Sequence, residues 1–290
     1  MYPHSHFTCR FMSFTPVASG RALDYGLGSL PSTTIQLCGA YVVELEGRRV
    51  IVVMPAYNAA QTLRHTWRDL PKDWIHKVIL VDDASRDGTV DVARELDLDV
   101  IAHPHNVGYG GNQKTCYMEA LRQGADVVVM VHPDGQYDPT LVPQLVRPII
   151  RGEADMVLGS RFLTPGGARK GGMPRYKYLA NRFLTTVENL VLGRDFAELH
   201  TGYRAYSRRF LETVPFLRNS SDFVFDTEVI AQAVAFEFRV GEVPVETKYF
   251  KEASSANFRQ SLVYGFKTLW VMARYFAHRT GIHRSRLFQH

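Results

Sequence analysis

From Arg49 onward the chain carries five short apolar runs rich in β-branched residues: RVIVVMPAYN, KVILVDDAS, DVIAHPHN, DVVVMVHPDG and DMVLGSR. Each run ends in polar or turn residues, the pattern of strands buried on both faces of a parallel sheet. The segments between them have helical character, which predicts helices around Ala60–Asp69, Thr89–Leu96, Gly110–Gln123 and Pro139–Arg151. This alternation predicts an α/β fold, a doubly wound, mainly parallel sheet with flanking helices. After about Gly172 the rhythm loosens into a helix over Tyr176–Leu192, a polar loop LHTGYRAYSRR, a helix over Asp226–Phe236 and a strand in RVGEVPVETKY. Residues 1–47 show neither period and read as an irregular extension, 48–250 as one domain, and 251–290 as a helical tail.

Composition narrows the class. Of 290 residues, 46% are hydrophobic and 22% charged, which excludes disordered and fibrous chains. Cys9, Cys38 and Cys116 are too few and scattered for a disulfide framework, so a reducing compartment is expected. The N-terminal stretch is a poor secretory signal, and no window holds the roughly 18 uninterrupted apolar residues of a membrane span. The expected location is cytoplasmic, with peripheral attachment at the membrane face as an option. A net charge of +5 favours anionic partners. It is dispersed and accompanied by no recognition motif, so nucleic acid is not expected.

In open α/β sheets ligands bind beyond the carboxyl ends of the strands. The first run ends there with Pro55, Tyr57 and Asn58, and the second with Asp82 and Asp83, which can accept hydrogen bonds from a nucleobase or ribose. A plain turn and helix capping by Ser85 or Asp87 are the alternatives. The third run leads into HNVGYGGNQKT, where Gly108, Gly110 and Gly111 permit close backbone approach to a ligand and Lys114 could reach a phosphate. The spacing is not that of a dinucleotide fingerprint. The fourth run delivers His132, Asp134 and Gln136 into one loop. Asp134 suits a hard divalent cation shared with a diphosphate. His132 is either a ligand better suited to Mn²⁺ or a loop histidine.

Taken in order, PAYN, VDDASRDGT, NVGYGGNQKT, HPDGQYDP, GSRF, HTGYRAYSR, FVFDTEVIAQA and TKYFKEASSANF resemble the glycosyltransferase family 2 enzymes of the GT-A fold. Within that family the likeness is to the dolichol-phosphate mannosyltransferase and polyprenyl-phosphate glycosyltransferase branch. The resemblance implies that Pro55, Tyr57, Asn58, Asp82, Asp83, Gly108 and Lys114 surround the nucleotide of a UDP- or GDP-sugar. It also implies that Asp134, Gln136 and His132 hold Mn²⁺ or Mg²⁺, and that Arg161 and Arg175 face phosphates. Gly202, Tyr203 and Arg204 match a motif lining the active site, and Asp226 matches an acidic position of the family. Arg161, Arg204 and Asp226 are thus the catalytic candidates. Two positions depart from the pattern: His132 stands where the family has the first Asp of D-x-D, and Ala59 where a Glu often follows P-x-Y-N.

The expected reaction is an inverting, metal-dependent transfer of a sugar to a polyprenyl or dolichyl phosphate. Such an acceptor is already ionised, whereas a hydroxyl acceptor would need Asp226 or Glu228 as base. The alternatives are a nucleotidyltransferase, which usually needs a phosphate loop that PAYNAAQTL lacks, and a non-catalytic nucleotide-sugar-binding protein. In the tail, Phe258, Leu262, Phe266, Leu269, Trp270, Ala273 and Phe276 recur at helical spacing among Arg259, Lys267 and Arg274. That stripe suits an anionic bilayer or packing against the domain.

Overall fold

The computed structural model describes residues 45, 47–247 and 258–289. The extension expected over 1–47 lies almost wholly outside the described residues, as does the junction 248–257 that carries most of TKYFKEASSANF. The strands are β1 (Val50–Ala56), β2 (Lys77–Asp82), β3 (Asp99–Ala102), β4 (Val127–Met130), β5 (Met156–Ser160), β6 (Arg204–Ser207) and β7 (Val240–Pro244). They form one sheet of order β3-β2-β1-β4-β6-β5-β7. The first four are mutually parallel, with Val50 opposite Val127 and Ile51 opposite Lys77, so their carboxyl ends gather on one edge.

One expectation is corrected here. The polar loop LHTGYRAYSRR contains β6, inserted between β4 and β5 and antiparallel to both. Its alternation explains why it was missed: Tyr203 and Ala205 join the core on one face of the sheet, Tyr206 joins the other, and Arg204 lies fully buried. A charged residue in a four-residue strand hides the period-2 signal that longer apolar runs display.

The helices are α1 (Leu63–Asp69), α2 (Thr89–Glu95), α3 (Tyr109–Arg122), α4 (Val142–Ile150), α5 (Gly167–Lys170), α6 (Arg175–Leu192), α7 (Arg208–Thr213), α8 (Phe225–Ala235) and α9 (Phe258–Arg279). β1 shows how the layers divide. Ile51 and Val53 face the core under α3 and α8, while Val50, Val52 and Met54 face that under α1 and α4. Helix α9 packs on α6 and α8 through Thr268, Val271, Met272 and Tyr275. The stripe read from the sequence is a different face: Leu262, Phe266, Trp270 and Phe276 point to solvent.

The glycine-rich turn into α3 is closed by protein. A side-chain carbon at Gly110 would lie 2.5 Å from the Ser220 carbonyl oxygen and 2.7 Å from Phe225 Cβ. The Gly110 N–H donates to the Ser221 carbonyl at 2.9 Å. These glycines therefore dock the turn onto the backbone that leads into α8. Gly110→Ala is expected to cost about 2–3 kcal/mol in urea denaturation through overpacking. Gly88→Ala, where the added carbon meets nothing within 4 Å, should stay within about 0.5 kcal/mol.

Candidate functional site

The loops at the carboxyl ends of β1 and β2 interlock. Asn58 adopts a left-handed φ of 52°, its N–H donates to Ser85 Oγ and its Oδ1 accepts from the Arg86 N–H. Pro55 is buried within β1, while Tyr57 is half exposed beside this turn. Asp83 is engaged inside the protein: its oxygens accept from the N–H groups of Val107 and Gly108 at 2.8 and 3.1 Å and face His103 Nδ1. Asp82 differs. Its Oδ2 accepts from the Ser85 N–H, but its buried Oδ1 has no hydrogen-bond partner among the described residues. A buried orphan acceptor calls for a donor, and a nucleobase imide or amino group is of that kind. Lys114 donates to the Asn219 carbonyl, so its ammonium is tied to the loop before α8.

Beyond β4, the Asp134 carboxylate accepts from the Gln136 N–H through Oδ1 and leaves Oδ2 unengaged among the described residues. His132 stacks on Tyr109 with ring centroids 5.7 Å apart, and its Nε2 lies 3.4 Å from the Tyr109 hydroxyl. Burial holds this imidazole below its ordinary pKa, so it is neutral at pH 7. Gly202 leaves room for the ring, since a side-chain carbon there would come within 2.9 Å of it. Tyr203 is buried behind the loop and donates to the Asp138 carbonyl at 3.1 Å. One free carboxylate oxygen, a neutral imidazole and an amide fit a divalent cation that takes further ligands from phosphate. No set of three His, Cys, Asp or Glu side chains converges on a metal-sized site among the described residues, so those further ligands are essential.

Asp226 is engaged from within. Its Oδ2 accepts from Tyr109 at 2.9 Å, and its Oδ1 from Gln113 at 3.2 Å and from the buried Arg204 guanidinium at 3.2 Å. That carboxylate holds Tyr109 in place and answers Arg204. Glu228 accepts from Ser220 and does not line the cavity described next.

A cavity of about 290 Å³ opens between these loops and helices α6 and α9. Asp226, Tyr109, Gln136 and Gly202 wall one side; Lys177 of α6 and Tyr264 of α9 wall the other. Arg161 reaches it but is answered by Glu198, which accepts from its Nε at 2.9 Å and its backbone N–H at 2.7 Å, while Asn181 also donates to Glu198. His200 forms an ion pair with Glu188 of α6 at 2.9 Å and bonds the Tyr264 hydroxyl at 2.8 Å. Those partners outweigh burial and raise its pKa to about 10. Arg175 lies apart, lining a separate cleft with Arg169, Tyr178 and Leu179. Tyr109, Lys177, Glu188, Glu198 and His200 were not singled out from the sequence. The visible signal for part of this set is the stripe Asn181, Thr185 and Glu188, polar residues at helical spacing on the buried face of α6.

Residues 51–214 match the family described as Glycosyl transferase family 2. The chain belongs to that family and is a family 2 glycosyltransferase of the GT-A fold. It is 26% identical over 238 residues to UDP-N-acetylglucosamine–dolichyl-phosphate N-acetylglucosaminyltransferase of Methanococcus voltae, covering 76% of this chain and 93% of that one. It is 29% identical over 209 residues to polyprenol monophosphomannose synthase of Mycolicibacterium smegmatis, covering 68% and 77%. Among solved structures, glucosyl-3-phosphoglycerate synthase of Mycobacterium tuberculosis, in complex with uridine diphosphate, superposes with a TM-score of 0.66 at 18% identity, covering 86% of this chain and 87% of that one. The same protein has been solved with Mn²⁺, uridine diphosphate and phosphoglyceric acid.

The His200 pair sets a pH dependence. Its pKa is raised from an ordinary 6.5 to about 10, so the folded state holds a proton that the unfolded chain releases between those values. Stability from this group is complete below pH 6.5 and is lost as pH rises toward 10, by at most about 1.4 kcal/mol per pH unit. Denaturation of the wild type between pH 6.5 and 9.5 should show that fall, and His200→Gln should flatten it.

Proposed function

We propose that this enzyme moves a sugar from a UDP- or GDP-sugar to a polyprenyl phosphate at a membrane surface. The observation that carries the reading is the cavity itself, which joins the Asp134 loop to two helices whose outer faces are apolar. On α6, Leu179 and Phe183 are 68% and 60% exposed; on α9, Phe266 and Trp270 are each 66% exposed. The two helices run side by side, and Arg279 at the end of α9 donates to the Val191 carbonyl near the end of α6. Arg182, Arg259 and Arg279 are exposed on the same two helices. An apolar ridge with basic flanks suits insertion at the surface of an anionic bilayer. No helix among the described residues is long and apolar enough to cross a membrane. Relatives named for dolichyl, polyprenol and undecaprenyl phosphate substrates support the acceptor class.

In this reading Tyr57 and Asp82 take the nucleotide, and Asp134 with Gln136 would hold Mn²⁺ or Mg²⁺ against the diphosphate. When bound, that ion would neutralise charge developing on the leaving group. A phosphate oxygen of the acceptor forms the new bond to the anomeric carbon from the face opposite the diphosphate. The carbon–oxygen bond to the diphosphate breaks and its electron pair leaves with the nucleoside diphosphate. The acceptor is already ionised, so no proton needs removing. Asp226 in this reading positions Tyr109 while answering Arg204.

Incubation with UDP- and GDP-sugars, Mn²⁺ and a polyprenyl phosphate should release nucleoside diphosphate, and Asp134→Ala should abolish the release. Pyrophosphate exchange, or tight sugar-nucleotide binding without turnover, would instead favour a nucleotidyltransferase or a binding protein. Combined replacement of Phe183, Phe266 and Trp270 by Ser should weaken binding to vesicles containing phosphatidylglycerol by at least about tenfold, with the melting temperature little changed. Unaltered vesicle binding would remove the membrane element of the reading.

A further inference from the structure

A second cavity, of about 440 Å³, opens beside the first, and Phe223, Gln260 and Tyr264 stand in the wall common to both. Its two sides come from different elements: the loop 222–224 before α8, and residues 259–267 of α9. One ion pair spans the gap. Lys267 of α9 donates to Asp222 Oδ2 of the loop, with both side chains close to half exposed. The other oxygen of Asp222, Oδ1, accepts from the Val224 N–H at 3.0 Å, which fixes the carboxylate on its loop.

The loop that carries Asp222 also supports the glycine-rich turn. The Gly110 N–H donates to the Ser221 carbonyl, Lys114 donates to the Asn219 carbonyl, and Phe223 rests on Tyr109 with ring centroids 4.8 Å apart. A displacement of Asp222 therefore reaches the wall of both cavities and the start of α3. On α9, Val263 and Trp270 share the face of Lys267 at helical spacing, and both are exposed. Lys267 thus stands in the ridge proposed to enter an anionic bilayer. A lysine so placed keeps its stem along apolar surface and carries its ammonium to the headgroup phosphates. An ion pair between half-exposed side chains is weak in water, and the attraction of one lysine to an anionic membrane surface is of the same order. Carboxylate and lipid phosphate compete for one ammonium.

We infer that the Asp222–Lys267 pair is a strap across the second cavity, closed in water and opened when Lys267 exchanges Asp222 for the phosphate of an anionic lipid. This rests on the proposed attachment to a membrane and adds its consequence. Arrival at the bilayer frees the loop before α8, lets the two sides of the second cavity part, and widens the way into the first. The exchange swaps one ion pair for another; no covalent bond changes and no proton moves.

Three proteins isolate the strap: wild type, Lys267→Gln, and Asp222→Asn, which keeps Lys267 and a side-chain oxygen for the Val224 N–H. Each is mixed with phosphatidylglycerol vesicles, phosphatidylcholine vesicles or inorganic phosphate. The readouts are the hydrogen-exchange rate of peptides covering 219–224 and nucleoside diphosphate release with farnesyl phosphate as acceptor. In wild type, phosphatidylglycerol should raise both about two- to fivefold, the range open to a weak pair, and phosphatidylcholine should raise neither. Both variants should stand at the raised level without vesicles and respond no further, while Asp222→Asn still binds phosphatidylglycerol. Equal readouts in wild type and Asp222→Asn without vesicles, or equal stimulation of the two by phosphatidylglycerol, overturn the strap. A response to inorganic phosphate as large as that to vesicles overturns the lipid as its trigger. A wild type that binds no vesicles defeats the strap together with the membrane reading, whereas faster exchange on vesicles without sugar transfer defeats the transfer reading alone.

Discussion

The buried guanidinium of Arg204 is the constraint around which the site is organised. It is wholly removed from solvent and is held by the Asp226 carboxylate and the carbonyls of Thr201, Leu199 and Asp226. A charge so placed is tolerable only when every partner is present, and removing one partner of such a pair typically costs about 3–5 kcal/mol. Satisfying Arg204 therefore fixes the loop before β6, the start of α8 and, through Asp226, Tyr109 at the start of α3. Three segments distant in the chain are brought to one wall of the cavity by one ion pair. The same pair ties Asp226 to both Arg204 and Tyr109, so one carboxylate shapes that wall of the cavity.

How much of this was legible beforehand depends on where the determining interaction lies in the chain. Strands β1 to β5 are readable because burial on both faces demands unbroken β-branched runs. The predicted helices end within a few residues of the observed ones because helical character and turn residues agree. Strand β6 is not readable, because its defining residue is a charge whose partner stands 22 positions away in another element. The Arg161–Glu198 pair is hidden for the same reason, with 37 residues between the partners. Asp82 and Asp83 look equivalent in sequence, yet one is consumed by the Val107 and Gly108 amides while the other keeps an orphan oxygen. That difference arises from how the glycine-rich turn closes over Asp83.

Arg175 and Lys177 give the clearest case of local geometry deciding chemistry. They are two positions apart, which on a helix places them about 200° apart around the axis. Both look suited to phosphate when read as charges in a string. Lys177 lines the cavity that Gln136 also lines, while Arg175 turns into a neighbouring cleft. A helix boundary known to within one residue would have been enough to separate them, and the sequence places that boundary one residue late.

The two-faced helices α6 and α9 extend this phase argument from one residue to the whole acceptor. Inward positions of α6 carry Lys177, Asn181, Leu184 and Glu188, and those of α9 carry Tyr264 and Thr268. Outward positions carry Leu179 and Phe183 on one helix and Phe266 and Trp270 on the other. The outward stripe on α9 is what periodicity detects, and taken alone it suits a bilayer surface or packing against the domain equally. The core is instead met by a face mixing Thr268 and Tyr264 with Val271 and Met272, because the surface beneath presents His200 and Thr227 as hydrogen-bonding partners. A helix whose inner face mixes polar and apolar residues and whose outer face exposes large apolar ones departs from an ordinary surface helix. Two such helices side by side set the cavity on one face and the exposed apolar residues on the other. Under the proposed transfer an amphiphilic acceptor would satisfy both at once, whereas a wholly polar one would use the inner face and leave the outer ridge in water.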